Sequence, residues 1–492
     1  MGVPLATEAG LLIDGDERQA QSQASFETLD PSTGSVVAQV ARGGGADVDA
    51  AVRAARTAFR GWRRTQPRYR ADLLRELGAR LREDANDLGQ IGAVDCGLPL
   101  SQARVDAEVA GRYFEFYAGL ADKLGGRTVP QGADYLNFTV REPWGVCGII
   151  VPFNTPYQVA SRSVAAALAA GNTVVVKAPE QSPLGSLALG RLALEAGIPP
   201  GVVNIVTGFG DAGAALAGHP GVAHITFTGA VSTGQAVLAA SVPEVTPVTL
   251  ELGGKSPQIV FEDADIAAAA DSIVNSVMYY AGQTCTATSR VLVQEGIKDD
   301  LLRALQARAQ ALRVGAAVDD PDLGPVITSA QRERVVEIVR AAITDGAKLV
   351  AGLEEVPPDL PSEGFYVSPT VLADVPEESR AVQEEIFGPV TTVASFATVD
   401  DAIQSANGTE FGLTAGIWTR DLDRALHLTR EIEAGQVFVN TYGVGGGGVE
   451  MAFGGYKKSG FGREKGVEGY LEYTQIKNVC VRVSAEAASN GI

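Results

Sequence analysis

The chain has 492 residues, a formal net charge of −19 and four cysteines. At about 150 residues per domain this length allows about two to four domains and a large core, and the acidic balance excludes general phosphate-backbone binding, which needs a basic face. Cys96, Cys147, Cys285 and Cys480 form no CxxC pair and no cluster with His, so neither a disulfide framework nor a zinc site is written here, and a reducing, cytoplasmic setting is expected.

The opening stretch "MGVPLATEAGLLIDGD" lacks a basic region and a long apolar run, and no later uncharged run reaches the roughly 18 residues of a membrane helix. Exposed alternation at 130–145, "PQGADYLNFTVREPWG", predicts a strand. Short β-branched runs follow at 145–154, 171–180, 201–210 and 222–229, separated by alanine-rich helices at 163–170 and 184–197. That order predicts parallel strands joined by crossover helices, an α/β architecture with ligands at the carboxyl ends of the strands. "GFGDAG" at 208–213 reads either as a phosphate loop or as a tight strand-to-helix turn; "FTGAVSTG" at 227–234 also ends a strand and opens a helix, where backbone N–H groups suit a pyrophosphate. A second α/β region spans about 255–458, with strands in "SRVLVQ", "TVLADV" and "AGQVFVN". The alternating run at 470–483 predicts another exposed strand, and the two exposed strands could pair as an arm.

Several residues carry chemistry without declaring it. Cys285 in "GQTCTATSR" reads as a core thiol or as a nucleophile. Glu251 in "TLELGGKSP" reads as a solvated strand-end carboxylate or as a base, Asn154 in "PFNTP" as a turn residue or as a donor, and Lys177 with Glu180 in "KAPE" as a surface pair or as a ligand contact.

Taken in order, "PFNTP", "GNTVVVKAPE", "FTGAVSTG", "LELGGKSP", "GQTC", "EEIFGPV", "VFVN" and "FGGYKKSGFGRE" resemble the aldehyde dehydrogenase superfamily across nearly the whole chain. The resemblance implies a Rossmann-like cofactor domain (1–129 and 146–254), an α/β catalytic domain (255–458) and a β-strand oligomerisation arm (130–145 and 459–492). It implies Cys285 as nucleophile on the aldehyde carbon, Asn154 and the Cys285 N–H as donors to the oxyanion, and Glu251 as the base that activates water against the thioester. A carboxylate at 251 argues for a free acid product, because relatives that transfer the acyl group to coenzyme A usually lack that base.

For the cofactor, the resemblance places Gly229, Ala230, Ser232 and Gly234 at the pyrophosphate, Lys177 and Glu180 at the adenosine ribose, and Glu385 and Phe387 at the nicotinamide ribose and ring. Pro152, Phe153, Gly210, Phe227 and Leu252 complete the implied set. A carboxylate at Glu180 accepts a bond from a ribose hydroxyl and repels a 2′-phosphate, so NAD is favoured over NADP. No metal is expected.

The implied substrate channel holds Thr155, Gln158, Arg162, Tyr279, Thr284, Thr286, Tyr442 and Phe453, with the glycines at 445–448 near its mouth, giving room for a medium or large apolar aldehyde. Arg162 supports the alternative, a semialdehyde whose carboxylate it would bind, and its plainer role is an ion pair on its helix. A catalytically silent binding or structural relative is the remote alternative. Phe153, Thr155, Ala230 and Tyr280 depart from the usual family residues, and none of these changes removes a reactive group. The exposed strands and the resemblance imply a homodimer or homotetramer.

Overall fold

Each β-branched run between 145 and 229 forms a strand in the computed structural model, which describes residues 7–352, 359–443 and 447–483. The strands Val146–Ile150, Thr173–Lys177, Val203–Val206, His224–Gly229 and Val248–Leu252 are mutually parallel at the centre of an eight-stranded sheet. Their continuous burial is what a parallel sheet covered on both faces requires.

Eight helices belong to this unit, α1 (Gly45–Trp62), α2 (Pro67–Glu83), α3 (Ala85–Cys96), α4 (Leu100–Leu120), α5 (Pro156–Ala170), α6 (Leu184–Glu195), α7 (Gly210–Ala217) and α8 (Val231–Ser241); α1, α5, α6, α7 and α8 lie against the sheet, and α2, α3 and α4 pack outside α5 and α6. Alternation along "TVVVK" assigns the faces. Val175 joins Val52, Leu216 and Val237 of α1, α7 and α8, whereas Val174 and Val176 join Leu168 and Leu187 of α5 and α6.

Helix α5 starts at Pro156, well before the predicted 163. Pro suits a first helical position, and the start is held from outside the segment, since the Asp106 carboxylate of α4 accepts from the N–H groups of Tyr157 (3.0 Å) and Gln158 (3.3 Å). The polar residues of "YQVASRS" are therefore drawn inside, with Ser161, Arg162 and Ser163 all buried.

A seven-stranded second sheet contains Pro257–Val260, Arg290–Gln294, Thr370–Ala373, Val390–Phe396, Thr414–Trp418 and Gln436–Val439, all parallel, with Lys348–Ala351 antiparallel at its edge. Helix α9 (Ile266–Met278) packs on it through Ile273 and Val277. A small cluster of Cys96, Leu98, Ala103, Tyr280 and Ile327, with Phe153 and Tyr279 against it, joins the two units. The carboxyl ends of the first sheet's strands thus meet the segments that lead into strands of the second.

Tyr135–Pro143 and Thr474–Arg482 pair antiparallel, from Pro143 opposite Thr474 to Tyr135 opposite Arg482, and leave Tyr135, Leu136, Ile476 and Val481 exposed. The expected arm range opened at 459 and its strand at 470, but Gly460–Phe461 forms an edge strand of the first sheet and Gly466–Glu472 is helical. Gly460 permits the edge contact: at φ +110° a Cβ there would stand 2.0 Å from the Leu250 carbonyl oxygen.

Candidate active site

Cys285 is delivered by a strained turn. After α9 the chain passes through Tyr280 (φ 52°), Ala281 (φ 53°) and Gly282 (φ 72°), three successive left-handed residues, the first two each costing about 1–3 kcal/mol. A Cβ on Gly282 would lie 2.0 Å from the Gly388 carbonyl oxygen, so this close approach requires glycine. Gln283 locks the turn, its Nε2 donating to the Tyr280 carbonyl (3.2 Å) and its Oε1 accepting from the Ile327 N–H (2.9 Å). The Gln283 carbonyl in turn accepts from Asn154 Nδ2 at 2.7 Å, which couples the asparagine to the residues before the cysteine.

Asn154, Glu251 and Cys285 line one cavity of about 720 Å³, a size suited to a small-molecule ligand. Cys285 keeps a partly exposed face, in contrast to the buried Cys96 and Cys147. Close packing nevertheless pushes its thiol up to about 12; Arg162 and Lys465 oppose that shift, and Glu385 and Glu251 add to it. Glu251 is 1% exposed and neither carboxylate oxygen has a hydrogen-bond partner in the structure. Burial first, and then Glu464, hold its carboxyl well above the usual range, against Arg162, Arg463 and Lys465.

Of the expected cofactor residues, Pro152, Phe153, Gly229, Ala230, Ser232, Leu252, Glu385 and Phe387 line the same cavity. The Phe153 and Phe387 rings meet edge-on at 5.8 Å, and Gln331 Nε2 donates to the Phe387 carbonyl at 2.9 Å. Burial raises Glu385 to about 7, although the Gly254 N–H donates to it. Lys177, Glu180, Gly210, Phe227 and Gly234 do not line it. Lys177 pairs with Glu180 at 2.6 Å at the end of its strand, Gly210 is exposed at the start of α7, Phe227 lies buried behind Gly229, and Gly234 is buried in the first turn of α8.

Thr155, Gln158, Arg162, Tyr279, Thr284, Thr286 and Phe453 also face the cavity, together with Gly447 and Gly448; the glycines at 445 and 446 lie outside the described residues. Tyr442 does not face it. Its hydroxyl donates to the Thr286 carbonyl (2.6 Å), so it stands behind the wall it was expected to form. Arg162 is ion-paired with Glu464, both nearly fully buried, and its Nη2 donates to Thr228 Oγ1 at 3.0 Å. Sequence reasoning singled out neither Glu464, the last residue of "FGGYKKSGFGRE", nor Lys465 as a site residue. It also missed Val105, Val109, Val159 and Val449, which line the cavity. Among the described residues, no group of three His, Cys, Asp or Glu side chains could hold a metal ion, and no helix is long and apolar enough to cross a membrane.

The aldehyde dehydrogenase family model matches residues 18–479. Over 488 residues the chain is 40% identical to a hydroxyisobutyraldehyde dehydrogenase of Mycolicibacterium austroafricanum, covering 99% of this chain and 96% of that one. A solved structure from Burkholderia cenocepacia, assigned as an aldehyde dehydrogenase, aligns with a TM-score of 0.95 at 48% identity over 97% of this chain and 100% of its own. The NAD+ complex of an aldehyde dehydrogenase from Bacillus cereus aligns with a TM-score of 0.94 at 38% identity over 98% of each chain. With the match running almost end to end and the cavity in place, the chain belongs to the aldehyde dehydrogenase family and is an aldehyde-oxidising enzyme.

Proposed function

We propose that the protein oxidises a medium or large apolar aldehyde to the free carboxylic acid with NAD, through a covalent intermediate on Cys285. The observation that carries this reading is the convergence of Cys285, Asn154 and Glu251 on one cavity. The Cys285 sulfur attacks the aldehyde carbon and forms a thiohemiacetal. Asn154 has two amide protons; one is held by the Gln283 carbonyl, which sets the side chain, and the other serves the oxyanion together with the Cys285 N–H. Once ionised, Glu251 takes a proton from the water that releases the acid from the thioester.

The donor set fits a dinucleotide. Ala230, the N-cap of α8, has no side chain able to cap it, so the first N–H groups of that helix are available where Gly229, Ala230 and Ser232 face the cavity. Gly234 shapes that first turn, Lys177 and Glu180 stand at the end of Thr173–Lys177, two strands along the sheet from His224–Gly229, for the adenosine ribose, and Glu385 and Phe387 line the cavity of Cys285 for the nicotinamide end. When bound, NAD supplies the acceptor for the hydride. The NAD+ complex of the Bacillus cereus relative supports this choice. In this reading residues 1–129 and 146–254 form the cofactor unit and 255–458 the catalytic unit.

Two features support an apolar aldehyde. Val105, Val109, Val159, Val449 and Phe453 line the cavity, and Arg162 is already neutralised by Glu464. A long-chain or aromatic aldehyde is expected to exceed succinic semialdehyde in kcat/KM by more than about tenfold, about 1.4 kcal/mol of discrimination. The opposite preference, lost in Arg162→Ala, would establish the semialdehyde alternative. That variant needs a folding control, because leaving Glu464 buried without its partner costs about 3–5 kcal/mol.

The paired strands Tyr135–Pro143 and Thr474–Arg482 serve, in this proposal, as the arm of a homodimer or homotetramer, because a two-stranded sheet with exposed Tyr135, Leu136 and Ile476 is a surface that assembly would cover. Sedimentation at micromolar concentration is expected to give a dimer or tetramer; a stable monomer would contradict it. Four unpaired cysteines suit a reducing cytoplasm.

A further inference from the structure

Hydrogen bonds from one face of α4 reach both elements that carry the oxyanion donors. Gln102 and Asp106 stand one turn apart near the start of that helix, and side chains at this spacing share a face. Gln102 Oε1 accepts from the Tyr280 N–H at 3.1 Å, at the first of the left-handed residues that lead to Cys285. Asp106 accepts from the N–H groups of Tyr157 (3.0 Å) and Gln158 (3.3 Å), in the first turn of α5, which opens two residues after Asn154. The N-cap residue of α5, Thr155, makes no side-chain cap bond, so the orphan donors of that turn depend on Asp106.

The two arms of this brace meet. The Tyr280 carbonyl accepts from the Gln283 N–H (3.0 Å) and from Gln283 Nε2 (3.2 Å), and the Gln283 carbonyl accepts from Asn154 Nδ2 at 2.7 Å. A closed circuit therefore runs from α4 through Tyr280, Gln283, Asn154 and the first turn of α5 back to α4. The start of α4 is itself fixed on the second unit, where the Ser101 N–H donates to the Asp320 carboxylate at 2.7 Å and Gln102 Nε2 donates to the Asp322 carbonyl at 3.2 Å.

We propose that Gln102 is a positioning residue for the oxidation: by holding the Tyr280 N–H it keeps the turn in the one arrangement that aims the Asn154 amide and the Cys285 N–H at the same oxyanion. The proposal rests on Cys285 being the nucleophile and Asn154 an oxyanion donor.

The backbone explains why a distant amide matters. Left-handed non-glycine residues persist only where their surroundings over-determine them, and Tyr280 and Ala281 are two in succession, both buried. Without the Gln102 acceptor the turn is free to relax, and the Gln283 carbonyl moves with it and takes the Asn154 amide along. An error of about 1 Å at such groups costs up to about 100-fold in rate. Substrate binding is spared, because Arg162 and Phe453 on the channel wall are held by Glu464 instead, so the loss falls on kcat and not on KM.

Stopped-flow measurement of the NADH burst in the full-length enzyme, with saturating NAD and an aldehyde it turns over, tests this. Gln102→Met is expected to slow the burst at least about tenfold with the aldehyde KM within about threefold of wild type, and Gln102→Glu, which keeps an acceptor at the same reach, to restore the burst to within about threefold. In an Asn154→Ala background the loss caused by Gln102→Met is expected to be at least about threefold smaller, because the donor it positions is already gone. A folded Gln102→Met enzyme with the wild-type burst rate would overturn the proposal. So would an equal loss in both backgrounds, or a Gln102→Glu burst as slow as that of Gln102→Met, since each is the behaviour of a residue that serves stability alone. If Gln102→Met fails to fold, Gln102→Asn, whose amide falls one methylene short of Tyr280, gives the same comparison. A wild-type burst in Asn154→Ala, or aldehyde turnover that survives Cys285→Ala, would instead sink the assignments on which the proposal rests.

Discussion

Replacing Cys285 by Ala is expected to reduce aldehyde-dependent NADH formation by at least about 10⁴-fold, with the thermal melting curve unchanged. Removing a covalent nucleophile eliminates the pathway, and losses of up to about 10⁶-fold are known for such residues. Folding is spared because Cys285 has a partly exposed face on the cavity, and Asn154 is anchored by the backbone carbonyl of Gln283, which a change at 285 leaves in place. Substituting Ala for the buried Cys147 provides the contrast: it should lower stability while leaving the rate per folded molecule near wild type. Turnover by Cys285→Ala within tenfold of wild type, measured by absorbance of the reduced cofactor, would remove the covalent mechanism.

Glu251→Gln is expected to keep a rapid burst of NADH while slowing steady-state turnover about 10²–10³-fold, the scale of general-base assistance. The burst survives because attack and hydride loss do not use the Glu251 carboxylate; hydrolysis of the thioester does. The sign of the pH dependence follows from the environment. Burial and the neighbouring Glu464 raise the Glu251 carboxyl well above the usual carboxylate range, so it gives up its proton at a higher pH than an ordinary carboxylate does. The wild-type deacylation rate should therefore climb with pH above the ordinary carboxylate range, and Glu251→Gln should lose that rising limb. Stopped-flow absorbance at several pH values checks both points. A variant that loses burst and steady state together would place Glu251 in an earlier step.

Much of this enzyme is legible in one dimension because the relevant signals are local. The run "TVVVK" between two turns becomes a buried parallel strand, since β-branched residues without a polar alternation satisfy a sheet covered on both faces. The motifs around Asn154, Glu251 and Cys285 are short and keep their order, so these residues can be singled out without coordinates, and all three line one cavity. The helix start at Pro156 was not legible, because its cap is Asp106, contributed by a different helix.

Charged side chains show the limit most clearly. By itself the sequence determined the α/β architecture and the strand-to-helix turns near the cavity, because hydrophobic period and glycine placement act over a few residues. Only the tertiary structure decided that Arg162 is neutralised by Glu464, that Lys465 reaches the cavity of Cys285, and that Tyr442 stands behind the wall bonded to the Thr286 carbonyl. The reason is physical: whether a charge is solvated, paired or poised depends on what the rest of the chain packs against it, and burial together with partners distant in sequence determines its proton affinity.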